Sequence, residues 1–266
     1  MGVKIITVCY YSLRIKLNNM NNLLNQGFIG FVHRGGAEET TENTIPAFQY
    51  ALDLGFRFIE TDVQATKDGK IVIFHDSDLS RMSSRKERIK DLNFDEISKI
   101  DLNGGGKIPL LEEALITFPE AFFNIDVKTN DAVKGTADII LEHANPDNIC
   151  IASFSSKRLK DLRNLLEKDY ISSSSQSEVI HLLLSSLGLG FKKSIGDCVQ
   201  VPPSQWGIPI VTPRFIKHMH ELDKKVHVWT IDDKEEMQRL YDLGVDGIMT
   251  DKPSVLKEFL ESKNLF

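Results

Sequence analysis

Short runs rich in β-branched and aromatic residues alternate along this chain with segments of helical periodicity, and the unit repeats eight times. Alternation of this kind predicts parallel strands joined by right-handed helical crossovers. Eight repeats between residues 28 and 266 favour a closed barrel over an open sheet. The predicted strands are Phe28–His33, Phe56–Asp62, Phe122–Lys128, Ile149–Phe154, Tyr170–Ser173, Cys198–Val201, Val226–Ile231 and Gly247–Thr250. The fold class is therefore predicted to be α/β, a (β/α)8 TIM barrel.

No composition break or linker divides the chain into two domains. Its 266 residues, 41% of them apolar and 26% charged, can bury one large core. We therefore predict an N-terminal extension at residues 1–27 and a single barrel domain at residues 28–266. The apolar run Val3–Tyr11 is shorter than a membrane span and lacks a clear signal-peptide cleavage site, so no stable membrane insertion is expected.

Charge and cysteine content narrow the function classes. A net charge of -6 does not fit a nucleic-acid binder, which needs clustered Lys and Arg, although one or two local cations can hold a small phosphate ester. The three cysteines, Cys9, Cys150 and Cys198, are too few and too widely spaced to form a disulfide framework or a zinc-ligand pair. A reducing, cytoplasmic location is expected, and the oligomeric state is left open.

Polar side chains gather where the predicted strands end. In a barrel of this kind the carboxyl ends of the strands carry the chemistry, and charges inside buried strands are costly without a partner or a metal. The residues concerned are His33 and Arg34, Glu60 and Asp62, Asp126 and Lys128, Trp229 and Thr230, and Thr250 and Asp251. Their recurrence at the ends of several strands predicts a functional site at this end of the barrel.

The acidic residues among them have a spacing that brings them together. Glu60 and Asp62 are two residues apart on one strand, so both point to the same face, and Asp126 lies on the neighbouring strand. Three such carboxylates can converge on an oxygen-preferring cation, Mg2+ or Ca2+. The alternative is that they are paired only with Lys and Arg side chains.

A predicted hairpin adds a histidine to this group. The runs Val63–Thr66 and Ile71–Phe74 flank Asp68-Gly69, a strong hairpin signal. A two-residue turn there places Asp62 opposite His75, with Cβ atoms about 5 Å apart.

A second histidine, His33, ends the adjacent first strand. Two imidazoles beside two cations, Arg34 and Lys128, suit acid–base phosphoryl chemistry near neutral pH.

The ordered set of motifs resembles the signature of the glycerophosphodiester phosphodiesterases between about residue 28 and residue 256. The matching motifs are His33-Arg34-Gly35, Glu42-Asn43-Thr44, Glu60-Thr61-Asp62-Val63, Thr66-Lys67-Asp68-Gly69, His75-Asp76, Ile108-Pro109-Leu110-Leu111-Glu112-Glu113, Val228-Trp229-Thr230 and Gly244–Asp251. Each motif alone is weak, and the ordered set is specific. The excursion Ser77–Lys107 corresponds to the insertion of that family after strand two.

The resemblance implies hydrolysis of glycerophosphodiesters to sn-glycerol 3-phosphate and an alcohol, with a divalent metal, and a role in lipid and glycerol metabolism. It also implies a role for each matching residue. His33 and His75 are the implied acid–base pair; Glu60, Asp62 and Asp126 the metal ligands; Arg34 and Lys128 the phosphate-binding cations; Trp229 a wall of the substrate pocket; and Glu42 and Asn43 supports of the site.

Several mechanistic alternatives stay open at this point. Asp126 stands where the family usually has Glu, so this shorter acid binds the metal either directly or through water. Either histidine can be the base, with His33 the first choice. The nucleophile is either water or the glycerol 2-hydroxyl.

Three other functions are compatible with a barrel of this kind. A lysophospholipase D would use the same residues and an apolar entrance, for which Leu182–Leu184, Leu187 and Leu189 are candidates. A non-catalytic barrel would bind phosphate esters without turnover. An isomerase or aldolase would use a phosphate site in the last loops, but the paired histidines and carboxylates are poor evidence for that chemistry.

Overall fold

The computed structural model describes residues 23–166, 170–189 and 195–266, so most of the predicted N-terminal extension lies outside the described residues. The strands are β1 (Ile29–His33), β2 (Phe58–Ala65), β3 (Ile71–Ile73), β4 (Phe122–Val127), β5 (Ile149–Ala152), β6 (Ile171–Ser172), β7 (Cys198–Val201), β8 (Ser204–Gln205), β9 (Ile208–Pro209), β10 (Lys225–Val228) and β11 (Gly247–Thr250). The α-helices are α1 (Ile45–Asp53), α2 (Phe94–Ile97), α3 (Leu111–Thr117), α4 (Ala132–His143), α5 (Ser156–Leu166), α6 (Gln176–Ser186), α7 (Pro213–Glu221), α8 (Lys234–Leu243) and α9 (Pro253–Ser262). In this part of the chain, no helix has both the length and the apolar character needed to span a membrane.

Eight parallel strands form a closed ring in the order β6-β5-β4-β2-β1-β11-β10-β7. A parallel bridge between Ser173 and Cys198 joins the two ends of this order. Following the strand register once around from His33 leads back to Asn25 on the same chain segment, eight residues earlier. A shear of eight for eight strands is the geometry of a TIM barrel, so the predicted fold class is confirmed.

The predicted hairpin forms, but its predicted register is wrong by one residue. Val63 pairs with Ile73 and Ala65 with Ile71, because the connection is a three-residue loop rather than a two-residue turn. Gly69 ends this loop with φ +78°, a conformation that glycine adopts without a steric penalty. The backbone N–H of Phe74 consequently donates to the backbone carbonyl of Asp62, at 2.9 Å, and Asp62 does not lie opposite His75.

Two apolar layers hold the barrel together. Strand residues that face outward, such as Val32, Ile59 and Ile125, are fully buried against the surrounding helices. Residues that face inward at the amino-terminal end pack with Leu23, which precedes β1. The inward-facing set comprises Ile29, Phe31, Phe122, Cys150, Ile171, Cys198 and Met249, with Phe58 partly buried against it. This end of the barrel is therefore filled with side chains, which leaves only the carboxyl end open.

The insertion after β3 has a small core of its own. Phe74, Leu79, Ile89, Ile97 and Ile108 belong to a cluster of buried residues separate from the main core. Because it packs as a unit, this insertion can present side chains to the edge of the barrel in a fixed position.

Candidate active site

A pocket of about 410 Å³ opens at the carboxyl ends of the barrel strands. All eight residues predicted to contact a metal or substrate or to catalyse line it: His33, Arg34, Glu60, Asp62, His75, Asp126, Lys128 and Trp229. Glu42 and Asn43 do not line the pocket and lie behind it, where both are buried. The structure thus brings the predicted residues together, and their chemical roles stay predictions.

Two of the three acidic residues share one cation of the protein itself. Glu60, Asp62 and Asp126 are all buried. The ammonium nitrogen of Lys128 lies 2.7 Å from Asp62 Oδ1 and 2.7 Å from Asp126 Oδ2. Burial lowers the pKa of Lys128, but the attraction of Asp62 and Asp126 outweighs it, and the net shift is upward. Lys128 is therefore a fixed positive charge in the pocket.

Some oxygen atoms of this acidic group have no hydrogen-bond donor among the described residues. Glu60 Oε2 and Asp126 Oδ1 are both in this state, although they are buried. Buried, unpaired carboxylate oxygens are costly, and a hard divalent cation is the partner that they suit. In the described ranges no three His, Cys, Asp or Glu side chains already form a metal-binding cluster, and Lys128 lies between two of the acids. The donor chemistry thus fits a cation at the buried oxygens that Lys128 does not contact.

Opposite pKa shifts separate the two carboxylates of β2. Burial and the neighbouring Asp62 charge raise the pKa of Glu60 to about 7. Asp62 is also penalised by burial, but Lys128 and Arg34 lower its pKa to about 2. Asp62 is therefore charged throughout the neutral range, whereas Glu60 holds its proton until a cation or a rise in pH removes it.

His33 has a carboxylate partner, Asp251, to which the sequence motifs assign no role. Its Nδ1 atom lies 2.7 Å from Asp251 Oδ1, and its Nε2 atom lies 3.6 Å from Glu60 Oε2. Burial opposes protonation of this imidazole, but Glu60 and the Asp251 hydrogen bond prevail and raise its pKa. Because an ionised carboxylate can only accept a hydrogen bond, Asp251 fixes a proton on Nδ1 of His33 and directs Nε2 into the pocket.

His75 is supported in the same way from the insertion. Its Nδ1 atom lies 2.6 Å from Asp76 Oδ1, and Asp76 Oδ2 accepts a hydrogen bond of 2.5 Å from Arg81. Arg81 also binds both oxygens of Glu42, at 2.8 and 2.7 Å. Glu42 accepts a further bond of 3.1 Å from Arg34. A continuous chain of charged groups therefore joins His75 to Arg34.

Arg34 reaches the site through an unusual backbone conformation. Its φ is +54°, a left-handed value that is costly for a residue with a side chain. In this conformation its Nε atom lies 3.0 Å from Asp62 Oδ2, which also accepts a bond of 3.0 Å from Asn43 Nδ2. Thr61 in turn donates to Asn43 Oδ1 at 2.8 Å. Glu42 and Asn43 thus hold Arg34 and Asp62 in place, which is the supporting position predicted for them.

The opposite wall of the pocket is apolar. Trp229 packs edge-on against Phe154, with ring centroids 6.0 Å apart. Further apolar lining comes from Val179, Ile180 and Leu183 of α6 and from Pro202, Trp206, Ile208 and Ile210 around the β8–β9 hairpin. The pocket therefore has a charged side on β1, β2 and β4 and an apolar side that extends from β5 to the end of β10.

Sequence reasoning only partly anticipated this wall. Of the apolar patch considered as an entrance, Leu183 lines the pocket, whereas Leu182 is buried in the core. The β8–β9 hairpin was not predicted, because its Pro-rich sequence lacks the alternation of a strand.

Comparison with known proteins shows that the sequence of this chain is similar to those of a defined group. The model of the "Glycerophosphoryl diester phosphodiesterase family" matches residues 33–255. The "Probable glycerophosphodiester phosphodiesterase 2" of Mycobacterium tuberculosis is 36% identical over 245 residues, which cover 90% of this chain and 92% of that protein. A lysophospholipase D of Rattus norvegicus is 29% identical, over 86% of this chain and 85% of its own.

A solved structure supports the fold assignment. The phosphodiesterase OLEI02445 of Oleispira antarctica, in complex with the product sn-glycerol-3-phosphate, superposes with a TM-score of 0.75 and 21% identity. The similarity covers 88% of this chain and 97% of that one, so the whole barrel is shared.

Proposed function

Because the chain belongs to the glycerophosphoryl diester phosphodiesterase family and is a phosphoric diester hydrolase that releases glycerol 3-phosphate, we propose that it works with a divalent metal and a pair of histidines. One observation carries the proposal. Two imidazoles, each held by its own carboxylate, line the same pocket as two cations and three buried acids. This set supplies what phosphodiester cleavage needs: a base, an acid and positive charge for the phosphoryl oxygens.

Glu60, Asp62 and Asp126 would hold the metal. The unpaired, buried oxygens of Glu60 and Asp126 support this assignment, and oxygen ligands suit Mg2+ or Ca2+. When bound, such a cation neutralises the non-bridging phosphate oxygens as negative charge builds up on them.

Arg34 and Lys128 are proposed to bind the phosphate. Lys128 is held at the floor of the pocket by two acids, and Arg34 is held by Asp62 and Glu42. Both cations are fixed before substrate arrives, so little free energy is spent on ordering them during the reaction. Trp229 would limit the pocket on the side of the alcohol.

His33 is assigned as the base and His75 as the acid. His33 is the more enclosed of the two, with 15% of its side chain exposed against 33% for His75. The nucleophile must be activated inside the pocket, beside Glu60, whereas the alcohol must leave through the open mouth. His33 Nε2 would take the proton of the nucleophile as the new P–O bond forms. His75 would give its proton to the ester oxygen as the old P–O bond breaks.

The assay that tests the proposal measures glycerol 3-phosphate release from glycerophosphocholine. We expect release that stops with EDTA and returns when Mg2+ or Ca2+ is added. Undiminished release in EDTA would contradict the metal, and tight metal binding without release would indicate a non-catalytic barrel. Following the reaction by 31P NMR distinguishes the nucleophiles, because attack by the glycerol 2-hydroxyl passes through a cyclic phosphate and attack by water does not.

The apolar wall favours a second candidate, a lysophospholipase D activity. Trp206, Ile208 and Ile180 would contact an alkyl or acyl chain better than a small polar head group. One relative at 29% identity is a lysophospholipase D. Comparing kcat/KM for lysophosphatidylcholine and glycerophosphocholine separates the two. A higher value for the lysolipid would establish a lipid substrate, and no measurable lysolipid turnover would exclude it.

A further inference from the structure

The β8–β9 hairpin exposes large apolar side chains at the mouth of the pocket. The exposed fraction is 86% for Trp206 and 59% for Ile208. Phe154 and Ile180, on neighbouring elements, are each 52% exposed. All four also line the catalytic pocket. The exposed apolar surface, here named the apolar rim, is therefore continuous with the space in which the substrate binds.

The hairpin holds Trp206 at its tip. Ser204 pairs with Pro209 and Gln205 with Ile208, so Trp206 and Gly207 form a two-residue turn. Both turn residues have positive φ, +51° and +78°. Asn, Asp or Gly are the usual residues at the first of these positions, because a bulky side chain is disfavoured there. A tryptophan at this place, without burial, does nothing for the stability of the turn.

The segment that carries the hairpin has no charge. Residues 198–213 contain no Asp, Glu, Lys, Arg or His, in a chain in which 26% of residues are charged. A surface that recognises anionic lipids or nucleic acid uses Lys and Arg, and this segment has none. Exposed Trp with aliphatic neighbours and no charge suits the interface of a zwitterionic lipid surface, where the indole ring sits at the level of the head groups.

We propose that the apolar rim docks on a zwitterionic lipid surface, with Trp206 and Ile208 inserted into the interface. Docking would place the mouth of the pocket against the surface, so that lipid-linked diesters enter without crossing water. The identity of the substrate that enters the pocket rests on the proposed function, but the docking itself does not depend on turnover. The rim would be covered only while the protein is docked, which accounts for its exposure in the free chain.

Binding to phosphatidylcholine vesicles tests the proposal, and the chain offers a spectroscopic probe. It contains two tryptophans, Trp206 and Trp229, so a Trp229→Phe variant leaves Trp206 as the only indole. We expect its emission to shift to shorter wavelength on addition of vesicles and to be quenched by brominated phosphatidylcholine. An unchanged spectrum would show that Trp206 stays in water and would overturn the proposal.

Sedimentation with the same vesicles supplies the matched comparison. The double variant Trp206→Ser, Ile208→Ser should bind at least about tenfold more weakly than the wild-type protein. Ile116→Ser is the control, because Ile116 is 58% exposed on α3 but does not line the pocket, and its binding should equal that of the wild type. Equal losses in both variants, or binding that requires phosphatidylglycerol, would contradict a zwitterionic docking surface.

Two further outcomes are distinguishable. A blue shift that depends on protein concentration, without vesicles, would mean that a second copy of the chain covers the rim, and would overturn lipid docking. Hydrolysis of water-soluble glycerophosphocholine reports the proposed function separately. Hydrolysis without vesicle binding would overturn the docking alone, and vesicle binding without hydrolysis would overturn the proposed function alone.

Discussion

The two ends of the barrel interior are built by the same strands and have opposite chemistry. On β1 the inward-facing side chain changes from Phe31 to His33 in one step of two residues, and on β2 it changes from Phe58 to Glu60. The amino-terminal layer is packed with aromatic and sulfur-containing side chains, and the carboxyl-terminal layer holds the buried charges. The residues that fill the barrel and the residues proposed to carry the chemistry thus lie in adjacent layers. Variants in the amino-terminal layer should therefore change stability, and variants in the carboxyl-terminal layer should change activity.

One polar residue departs from this division. His227 is fully buried in the amino-terminal layer, where its ring lies 4.9 Å from that of Phe31. Neither ring nitrogen has a conventional hydrogen-bond partner among the described residues. Its imidazole interacts with the Cys198 thiol, whose pKa is lowered to about 6, chiefly by the Cys150 thiol and then by His227 itself. Because His227 is not among the described residues that line the pocket, we assign it to packing.

The largest effect is expected from removing either histidine of the carboxyl-terminal layer. His33→Ala or His75→Ala should each lower kcat for glycerophosphocholine by about 10²–10⁴-fold, the usual contribution of a positioned acid or base. The melting temperature should change little, since both side chains line an open pocket. Steady-state kinetics with thermal unfolding of the same samples checks both points. A variant with nearly wild-type kcat would remove that histidine from the mechanism.

In the amino-terminal layer we expect the opposite result, a loss of stability without a loss of activity. Phe31→Ala removes a fully buried ring and should cost about 3–5 kcal/mol of unfolding free energy. The kcat per folded molecule should stay close to that of the wild type, because the ring does not line the pocket. Urea unfolding and active-site titration measure the two quantities. If kcat fell as far as in the histidine variants while stability held, the separation of the layers would be wrong.

Variants of Arg81 test whether the insertion contributes to catalysis in the carboxyl-terminal layer. It joins Asp76 and Glu42, and through them His75 and Arg34, without lining the pocket. Arg81→Ala should lower kcat about tenfold, in line with the loss of a charged hydrogen bond at a partly exposed site. Arg81→Lys keeps the charge but loses the two-pronged contact, so it should recover only part of the rate. Equal rates for wild type and Arg81→Ala would make this residue a surface feature of the insertion.

The smallest effect concerns pH and metal. In the metal-free protein the pKa of Glu60 is raised to about 7, so the folded state holds this proton more tightly than the unfolded chain. Its stabilising contribution is full below the unfolded pKa and is lost as pH rises through about 7, and His33, whose pKa is also raised, acts in the same direction. Between the unfolded pKa of Glu60 and about pH 7, stability should therefore fall by at most about 1.4 kcal/mol per pH unit from this residue.

Added Mg2+ or Ca2+ should reverse this loss, because the cation takes the place of the proton on Glu60. Thermal unfolding at mildly acidic and mildly alkaline pH, with and without metal, measures the effect. The stabilisation by metal should be greater at the alkaline pH in the wild type and nearly independent of pH in Glu60→Gln. A metal effect that is largest at acidic pH would contradict the assignment of Glu60.

Most of the barrel could be predicted from the sequence, since alternating strands and helices have few closed arrangements. The strand Cys198–Val201 was predicted with the bounds observed. The placement of Glu60, Asp62 and Asp126 in one pocket followed from two-residue spacing on neighbouring strands, whereas their binding of a metal stays a prediction. These inferences succeeded because they depend on strand periodicity, which the sequence displays directly.

The rest depends on contacts that local patterns do not encode. The pairing of His33 with Asp251 joins the two ends of the chain and becomes visible only once β1 and β11 are neighbours in register. Arg81 lies in an insertion without barrel periodicity. The hairpin register was wrong because Asp68-Gly69 is compatible with turns of two or three residues, and packing selected the longer one.

The most direct test of the central claim compares two leaving groups on the same glycerol phosphodiester. Choline must be protonated as it departs, whereas p-nitrophenol is acidic enough to leave as the anion. We predict that His75→Ala loses most of its activity on glycerophosphocholine but keeps most of it on the p-nitrophenyl ester, and that His33→Ala is inactive on both. Equal impairment of His75→Ala on the two esters, or nearly wild-type activity of His33→Ala on the p-nitrophenyl ester, would contradict the assigned roles.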